Sequence, residues 1–105
     1  MSEAVVGFCT CPQGKGQEIA AQLVSEKLAA CVNIIPSIQS IYIWNGKLEN
    51  ELEELLVIKS EKESWKALEK RIKEIHPYEL PEIICFRVED GYAPYLEWLK
   101  SSLKT

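Results

Sequence analysis

The chain has 105 residues and a mass of 12.0 kDa, which is the size of a single domain, residues 1–105. Its hydrophobic residues make up 47% and its charged residues 27%, proportions that exclude disordered and collagen-like proteins. A net charge of −4 argues against nucleic-acid binding, and no apolar run reaches the roughly 18 to 20 residues that a membrane span needs. Because no signal-like segment precedes the first strand-like run, we expect a cytosolic protein with free thiols.

The first elements are a strand and an amphipathic helix. Residues 3–10 (EAVVGFCT) are rich in β-forming residues and are followed by a loop containing Pro12 and two glycines. Residues 17–30 carry an apolar stripe at helical spacing, which includes Ile19, Leu23 and Leu28. The sequence therefore predicts a helix over 17–30.

A β-hairpin is predicted next. Two apolar runs, 31–35 and 40–44, are separated by Pro36, which favours a bulge or an edge position. Asn45-Gly46 is the preferred pair for a type I′ turn. The return arm, residues 47–59, fits helical spacing as well as the period of a strand. We interpret it as a strand, since the turn before it requires a partner.

The remaining elements complete an α+β order. Ser60 and Glu63 form a capping-box pattern before a stripe of Trp65, Leu68, Ile72 and Ile75. Pro77 ends that helix, residues 82–89 (EIICFRVE) predict a fourth strand, and residues 92–103 predict a last helix. The order β-α-β-β-α-β-α is that of a ferredoxin-like sandwich with one additional C-terminal helix.

Several predicted strands have apolar residues on both faces. The runs at 34–35, 55–58 and 83–86 do not alternate with polar residues, which is typical of strands covered on both sides. In this topology the two main helices cover only one face of the sheet. We therefore predict a closed homo-oligomer in which another copy of the chain covers the other face.

The single histidine, His76, is the first candidate for chemistry. It begins the segment His-Pro-Tyr-Glu-Leu-Pro-Glu, whose two prolines would hold the imidazole, Glu79 and Glu82 in a fixed relation. An imidazole beside carboxylates suits a first-row metal site or an acid–base pair. The alternative is a structural histidine that interacts with the last carbonyl groups of a helix.

Cysteines and glutamates give weaker signals. Cys9 and Cys11 lie on one face of the first strand, where they could bind a soft metal or pack as small apolar groups. Cys31 and Cys85 fall in apolar runs and are predicted to lie in the core. The acidic cluster at Glu49, Glu51, Glu53 and Glu54 favours a solvated face or an inter-chain contact over a cation site. No catalytic motif is present, so an enzyme with Cys9 as nucleophile and His76 as base is a remote alternative.

These segments together resemble one protein family. The segments are Cys9-Thr10 with Pro12, Lys27–Asn33, Ser40–Lys47 (SIYIWNGK), Ile58-Lys59, His76–Ile83 (HPYELPEI) and Tyr95–Trp98. Over almost the whole chain, in order and with their spacing intact, they resemble the CutA divalent-cation tolerance proteins. The resemblance implies a ferredoxin-like subunit in a homotrimer similar in architecture to the PII signalling proteins, and it supports a strand over residues 47–59.

The resemblance also implies a copper-related function. In some bacterial members a cysteine on the first strand and a His-His pair are implicated in copper binding. Cys9 matches that cysteine and His76 the second histidine, while Ile75 replaces the first and Cys11 is a further departure. With Glu82 as a third ligand, we expect a site for Cu(II), or for Zn(II) as second choice. The alternative function is a PII-like module that binds a small ligand or a partner protein between subunits; neither membrane nor nucleic acid is expected as a partner.

Overall fold

The computed structural model describes residues 3–104, and its element order confirms the predicted α+β class. The elements are β1 (Ala4–Pro12), α1 (Gly16–Ser25), β2 (Cys31–Trp44), β3 (Lys47–Glu61), α2 (Lys62–Ile75), β4 (Ile84–Arg87) and α3 (Ala93–Ser101). The strands form one sheet in the order β2-β3-β1-β4, with every neighbouring pair antiparallel. Because β3 lies between β1 and β2, the first three strands make the split βαβ arrangement of the ferredoxin-like sandwich.

The return arm of the hairpin is a strand along its whole length, as predicted. Leu56 and Ile58 point to the face covered by α1 and α2, where both are fully buried. Leu48 and Leu52 share that face by the two-residue period of a strand. They are 74% and 57% exposed because no element within residues 3–104 covers this end of the hairpin.

The two special positions of the hairpin also follow the prediction. Asn45 and Gly46 both have positive φ, 52° and 78°, as a type I′ turn requires. The β2–β3 register shifts between Ile35 and Ile38, and Ser37 has a φ of 59°. Pro36 therefore lies in a bulge on an edge strand, and β2 continues past it as one strand.

The first helix is shorter than predicted. It ends at Ser25 instead of Ala30, because Lys27 takes a left-handed conformation with a φ of 60°. The amides of Leu28 and Ala29 then both donate to Leu23 O, which closes the helix end. Leu28, Ala29 and Ala30 are apolar because they pack against the core after the helix has ended.

The predicted capping box is wrong. Ser60 pairs with Val5 inside the sheet, and its hydroxyl donates to Leu28 O over 2.7 Å instead of capping α2. Helix α2 begins after Glu61, which makes no side-chain capping bond. The pairing of β3 with β1 continues through Glu61, so Ser60 belongs to the strand and is not available as a helix cap.

The fourth strand is also shorter than predicted. It covers Ile84–Arg87 instead of residues 82–89 and pairs with β1 only from Val5 to Phe8. As a short edge strand it leaves Cys85 exposed, which corrects the predicted core position. Cys31 is half-buried. The end of β1 from Cys9 onwards consequently has no strand on the β4 side.

The core lies between the sheet and helices α1 and α2. It contains the predicted stripe of Trp65, Leu68 and Ile72, together with Ile19 and Leu23. A smaller cluster joins α3 to the sheet end through Ala30, Leu99 and Leu103. The opposite face of the sheet, here called the open face, remains accessible along the hairpin, and the candidate site lies there.

Candidate functional site

The open face carries an acidic groove of about 870 Å³ between the hairpin and the loop after α2. Five carboxylates line this acidic groove: Glu49, Glu51, Glu53, Glu79 and Glu82. The first three come from alternate positions of β3, which places them on one face of the strand. Among the described residues that line the groove none is basic. The groove therefore favours cationic ligands.

Two tyrosine–glutamate pairs hold the carboxylates in place. Tyr78 donates its hydroxyl to Glu53 Oε2 over 2.6 Å, and Glu53 is only 5% exposed. Burial and this hydrogen bond raise the pKa of Tyr78. Tyr42 donates to Glu51 in a more exposed position, and that hydrogen bond is the main reason why the pKa of Tyr42 rises to about 12. Both tyrosines thus remain hydrogen-bond donors at neutral pH.

The alternation of the strand divides the acidic cluster that the sequence shows. Glu53 faces the groove, whereas Glu54 faces the helices and accepts the Gly16 amide at 2.8 Å. Glu54 therefore satisfies one of the free N–H groups at the start of α1. A side chain at Gly16 would collide with this carboxylate. The four glutamates predicted as one cluster consequently have at least two separate roles.

His76 directly precedes Pro77 and Tyr78, which form one wall of the groove, and it is only 8% exposed. Its Nε2 is 2.8 Å from Thr10 O, and its Nδ1 is 3.0 Å from the Tyr78 amide nitrogen. A carbonyl oxygen can only accept and an amide N–H can only donate, so Nε2 carries the proton and Nδ1 is unprotonated. Both ring nitrogens are thus occupied by protein partners.

Cys9 is fully buried on the helix-covered face of β1 and belongs to the core. Burial, with smaller effects from Cys11, Glu82 and Glu53, raises the pKa of the Cys9 thiol to about 12. Burial likewise raises the pKa of Cys11 to about 11. Both side chains remain protonated thiols at neutral pH.

The three ligands expected from the sequence face different surroundings. Glu82 is exposed and lines the groove, Cys9 lies in the core, and His76 is hydrogen-bonded between β1 and the loop. Within residues 3–104 no three or more histidine, cysteine, aspartate or glutamate side chains form a group that could hold a metal ion. Sequence reasoning missed the Glu53–Tyr78 pair, for which the only signal was the alternation of glutamates along β3.

Comparison with known proteins identifies the family. Residues 5–102 match the family model described as CutA1 divalent ion tolerance protein. The chain belongs to this family. It is 47% identical over 103 residues to the divalent-cation tolerance protein CutA of Yersinia pestis (strain Pestoides F), covering 97% of this chain and 87% of that protein. It is 43% identical over 102 residues to the chloroplastic protein CutA 1 of rice, Oryza sativa subsp. japonica, covering 96% of this chain but only 58% of the rice protein.

Solved structures of CutA proteins have the same fold. The rice CutA1 crystal structure aligns with a TM-score of 0.95 at 43% identity, over 97% of this chain and 94% of that one. The divalent cation tolerance protein of Thermus thermophilus aligns with a TM-score of 0.93 at 38% identity, over 96% of this chain and 99% of that one. These matches confirm the family and the fold that the sequence segments predicted.

The relatives differ in cellular location. The rice relative is described as chloroplastic, and the structure from Archaeoglobus fulgidus, with a TM-score of 0.92 and 31% identity over 96% of this chain and 99% of that one, as periplasmic. Within residues 3–104, no helix combines the length and the apolar character that crossing a bilayer requires. Membership of the family therefore does not fix one compartment.

Proposed function

We propose that this CutA protein is a cytosolic, non-catalytic homotrimer that binds a divalent cation in its acidic groove as part of cation tolerance. The observation that carries the proposal is the negative charge of the groove, which has five lining carboxylates and no basic lining residue within the part described. These carboxylates do not form a preassembled ligand group within residues 3–104 of a single chain, so the cation has to draw them together on binding. Copper(II) is the first candidate and zinc(II) the second. Both metals accept carboxylate oxygen, and copper(II) binds most tightly among the divalent first-row ions.

Assembly with other copies of the chain is supported by apolar surface that a lone chain leaves in water. Ile41, Ile43 and Leu48 on the hairpin are each at least 65% exposed, and Phe86 on β4 is 50% exposed. Apolar patches of this kind mark association surfaces. A closed ring of copies covers them without leaving unpaired surfaces at the ends.

The non-catalytic role is supported by the state of the two residues that an enzyme would use. A nucleophilic cysteine needs a lowered pKa, whereas burial raises the pKa of Cys9 to about 12. A general base needs a free ring nitrogen, and both nitrogens of His76 have protein partners.

The test is native mass spectrometry and calorimetry on chelator-stripped protein, first with copper(II) and then with zinc(II). We expect a trimer that binds metal. Glu82→Gln should weaken binding at least about tenfold, since even the partners of metal ligands change affinity by about 10- to 100-fold. Glu97→Gln, on the exposed surface of α3, is the matched control and should bind like the native protein. A trimer that stays metal-free would refute the cation role, and a monomer would refute the assembly.

The second candidate is a PII-like module that binds a small ligand in the same groove. A volume of about 870 Å³ lies in the range of small-molecule sites, and Tyr42, Trp44 and Tyr78 supply aromatic surface. This function predicts that a metabolite raises the melting temperature of the metal-free protein, because a ligand that binds only the native state stabilises it. A metabolite screen without any shift would count against it.

A further inference from the structure

We propose that His76 positions the wall of the acidic groove as a hydrogen-bonded clamp and stays outside the coordination sphere of any bound cation. This inference rests on the proposed function, and it departs from the copper ligand set that the family resemblance implies. Its basis is the engagement of both ring nitrogens, Nε2 with Thr10 O and Nδ1 with the Tyr78 amide. A histidine binds metal through an unprotonated ring nitrogen, and the only one here already accepts a hydrogen bond.

The first half of the clamp completes the edge of β1. Strand β4 pairs with β1 only as far as Phe8, so the carbonyl of Thr10 lies beyond the last β4 partner. Thr10 is partly buried, and a backbone carbonyl that is shielded from water needs a donor. His76 provides it from the end of α2, over a separation of 66 residues and at 2.8 Å, whereas the Cys9 thiol makes only a longer contact of 3.7 Å with the same oxygen. The imidazole thus provides a hydrogen bond where β4 no longer pairs with β1, and it attaches the loop after α2 to β1.

The second half of the clamp positions the groove. Nδ1 fixes the backbone of Tyr78, the imidazole and phenol rings lie 4.9 Å apart, and the phenol hydroxyl donates to Glu53. Glu53 is one of the lining carboxylates. A chain of contacts therefore runs from Thr10 through His76 and Tyr78 to Glu53, which makes His76 a positioning residue for the groove.

The neighbouring candidates do not restore the implied copper site. Ile75 stands where the resemblance expects another histidine, and Cys9 is fully buried in the core. Glu82 alone among the three expected ligands faces the groove. The described residues accordingly offer oxygen donors to a cation, with the imidazole as their support.

The single histidine makes the test direct, because ¹⁵N-histidine labelling gives one imidazole spectrum. In the metal-free protein we expect the Nε2–H tautomer with Nδ1 as acceptor. Zinc(II) is then titrated while calorimetry reports binding, and we expect both ring nitrogen signals to keep their tautomer pattern at saturation. With copper(II), pulsed EPR should detect no imidazole nitrogen bound to the metal. A coordination shift at either nitrogen, or imidazole coupling to copper, would overturn the inference while leaving the cation function intact.

Two variants separate a clamp from a ligand. His76→Asn removes the imidazole but keeps an oxygen that can accept the amide two residues ahead, as in an Asx-turn. His76→Ala removes both bonds. We expect His76→Ala to lose about tenfold in zinc affinity, the scale of partners that orient ligands, and His76→Asn, which keeps the bond to the Tyr78 amide but not the bond to Thr10 O, to lose clearly less. Equal losses in both variants, with the native fold retained, would overturn the clamp.

The experiment also distinguishes failure of the inference from failure of the proposed function. If calorimetry detects no metal, the cation function fails, and the spectrum of the metal-free protein decides the clamp by itself. The Nε2–H tautomer with an accepting Nδ1 would support it. A proton on Nδ1 at neutral pH would overturn it. If either variant does not fold, the labelled native protein still gives this result.

Discussion

Replacing Tyr78 with phenylalanine removes one hydroxyl group from the wall of the acidic groove. That hydroxyl donates to Glu53 Oε2 over 2.6 Å, and Glu53 is 5% exposed. A hydrogen bond to a charged group contributes about 1.5–3 kcal/mol, and a buried acceptor that loses its donor retains its desolvation cost. We therefore expect Tyr78→Phe to lower the free energy of unfolding by about 2–3 kcal/mol.

The assay is urea unfolding followed by tryptophan fluorescence, at one fixed chain concentration because an oligomer's stability depends on it. Tyr42→Phe is the matched control, since Tyr42 donates to Glu51 in the same groove but in an exposed position. Its unfolding midpoint should fall clearly less. Equal losses in the two variants, or no loss in Tyr78→Phe, would refute the reasoning that the burial of Glu53 determines the size of the effect.

Three further predictions concern the core and the thiols. A methyl group at Gly7 would overlap the Trp65 ring, so Gly7→Ala should lower the free energy of unfolding, measured with denaturant, by about 1–3 kcal/mol. Adding Trp65→Phe to the same chain should restore part of that loss. If the effects of the two substitutions are simply additive, the clash is not the cause. Because the pKa of Cys9 is raised to about 12 from 9.0, the unfolded chain ionises first, and stability should fall between pH 9 and 12; the same pH slope in Cys9→Ala would exclude Cys9 as the cause. Alkylation followed by mass spectrometry should label the exposed Cys85 before the buried Cys9; the reverse order would contradict the structure.

Local chemistry accounts for the parts of the fold that the sequence predicted correctly. Asn45-Gly46 determines the turn, and Pro36 determines the bulge, because both act through the backbone of their own neighbourhood. Trp65 and Leu68 are buried as their spacing indicates. The sequence predicts one acidic cluster in β3, whereas the structure places Glu53 in the groove and Glu54 against the helices.

The sequence could not predict features that depend on distant partners. Lys27, just after α1, takes a left-handed conformation that is usually found at glycine. Ser60 does not cap α2, because its hydroxyl donates to Leu28 O. The role of His76 depends on where β4 stops beside β1, which no spacing in the sequence reveals. The His-Pro loop is therefore recognisable from sequence as a candidate site, whereas the division between ligands and supporting residues requires the structure.

The bulge at Pro36 has a consequence for how other strands can pair with the edge of the sheet. Strand β2 lies at the edge of the sheet, and its 14 residues would otherwise offer a long row of unpaired backbone groups. The register shift between Ile35 and Ile38 interrupts that row, and proline removes a donor from it. A stray strand can therefore not extend along the whole edge. The bulge disfavours continuous edge-to-edge addition of another strand at the middle of β2.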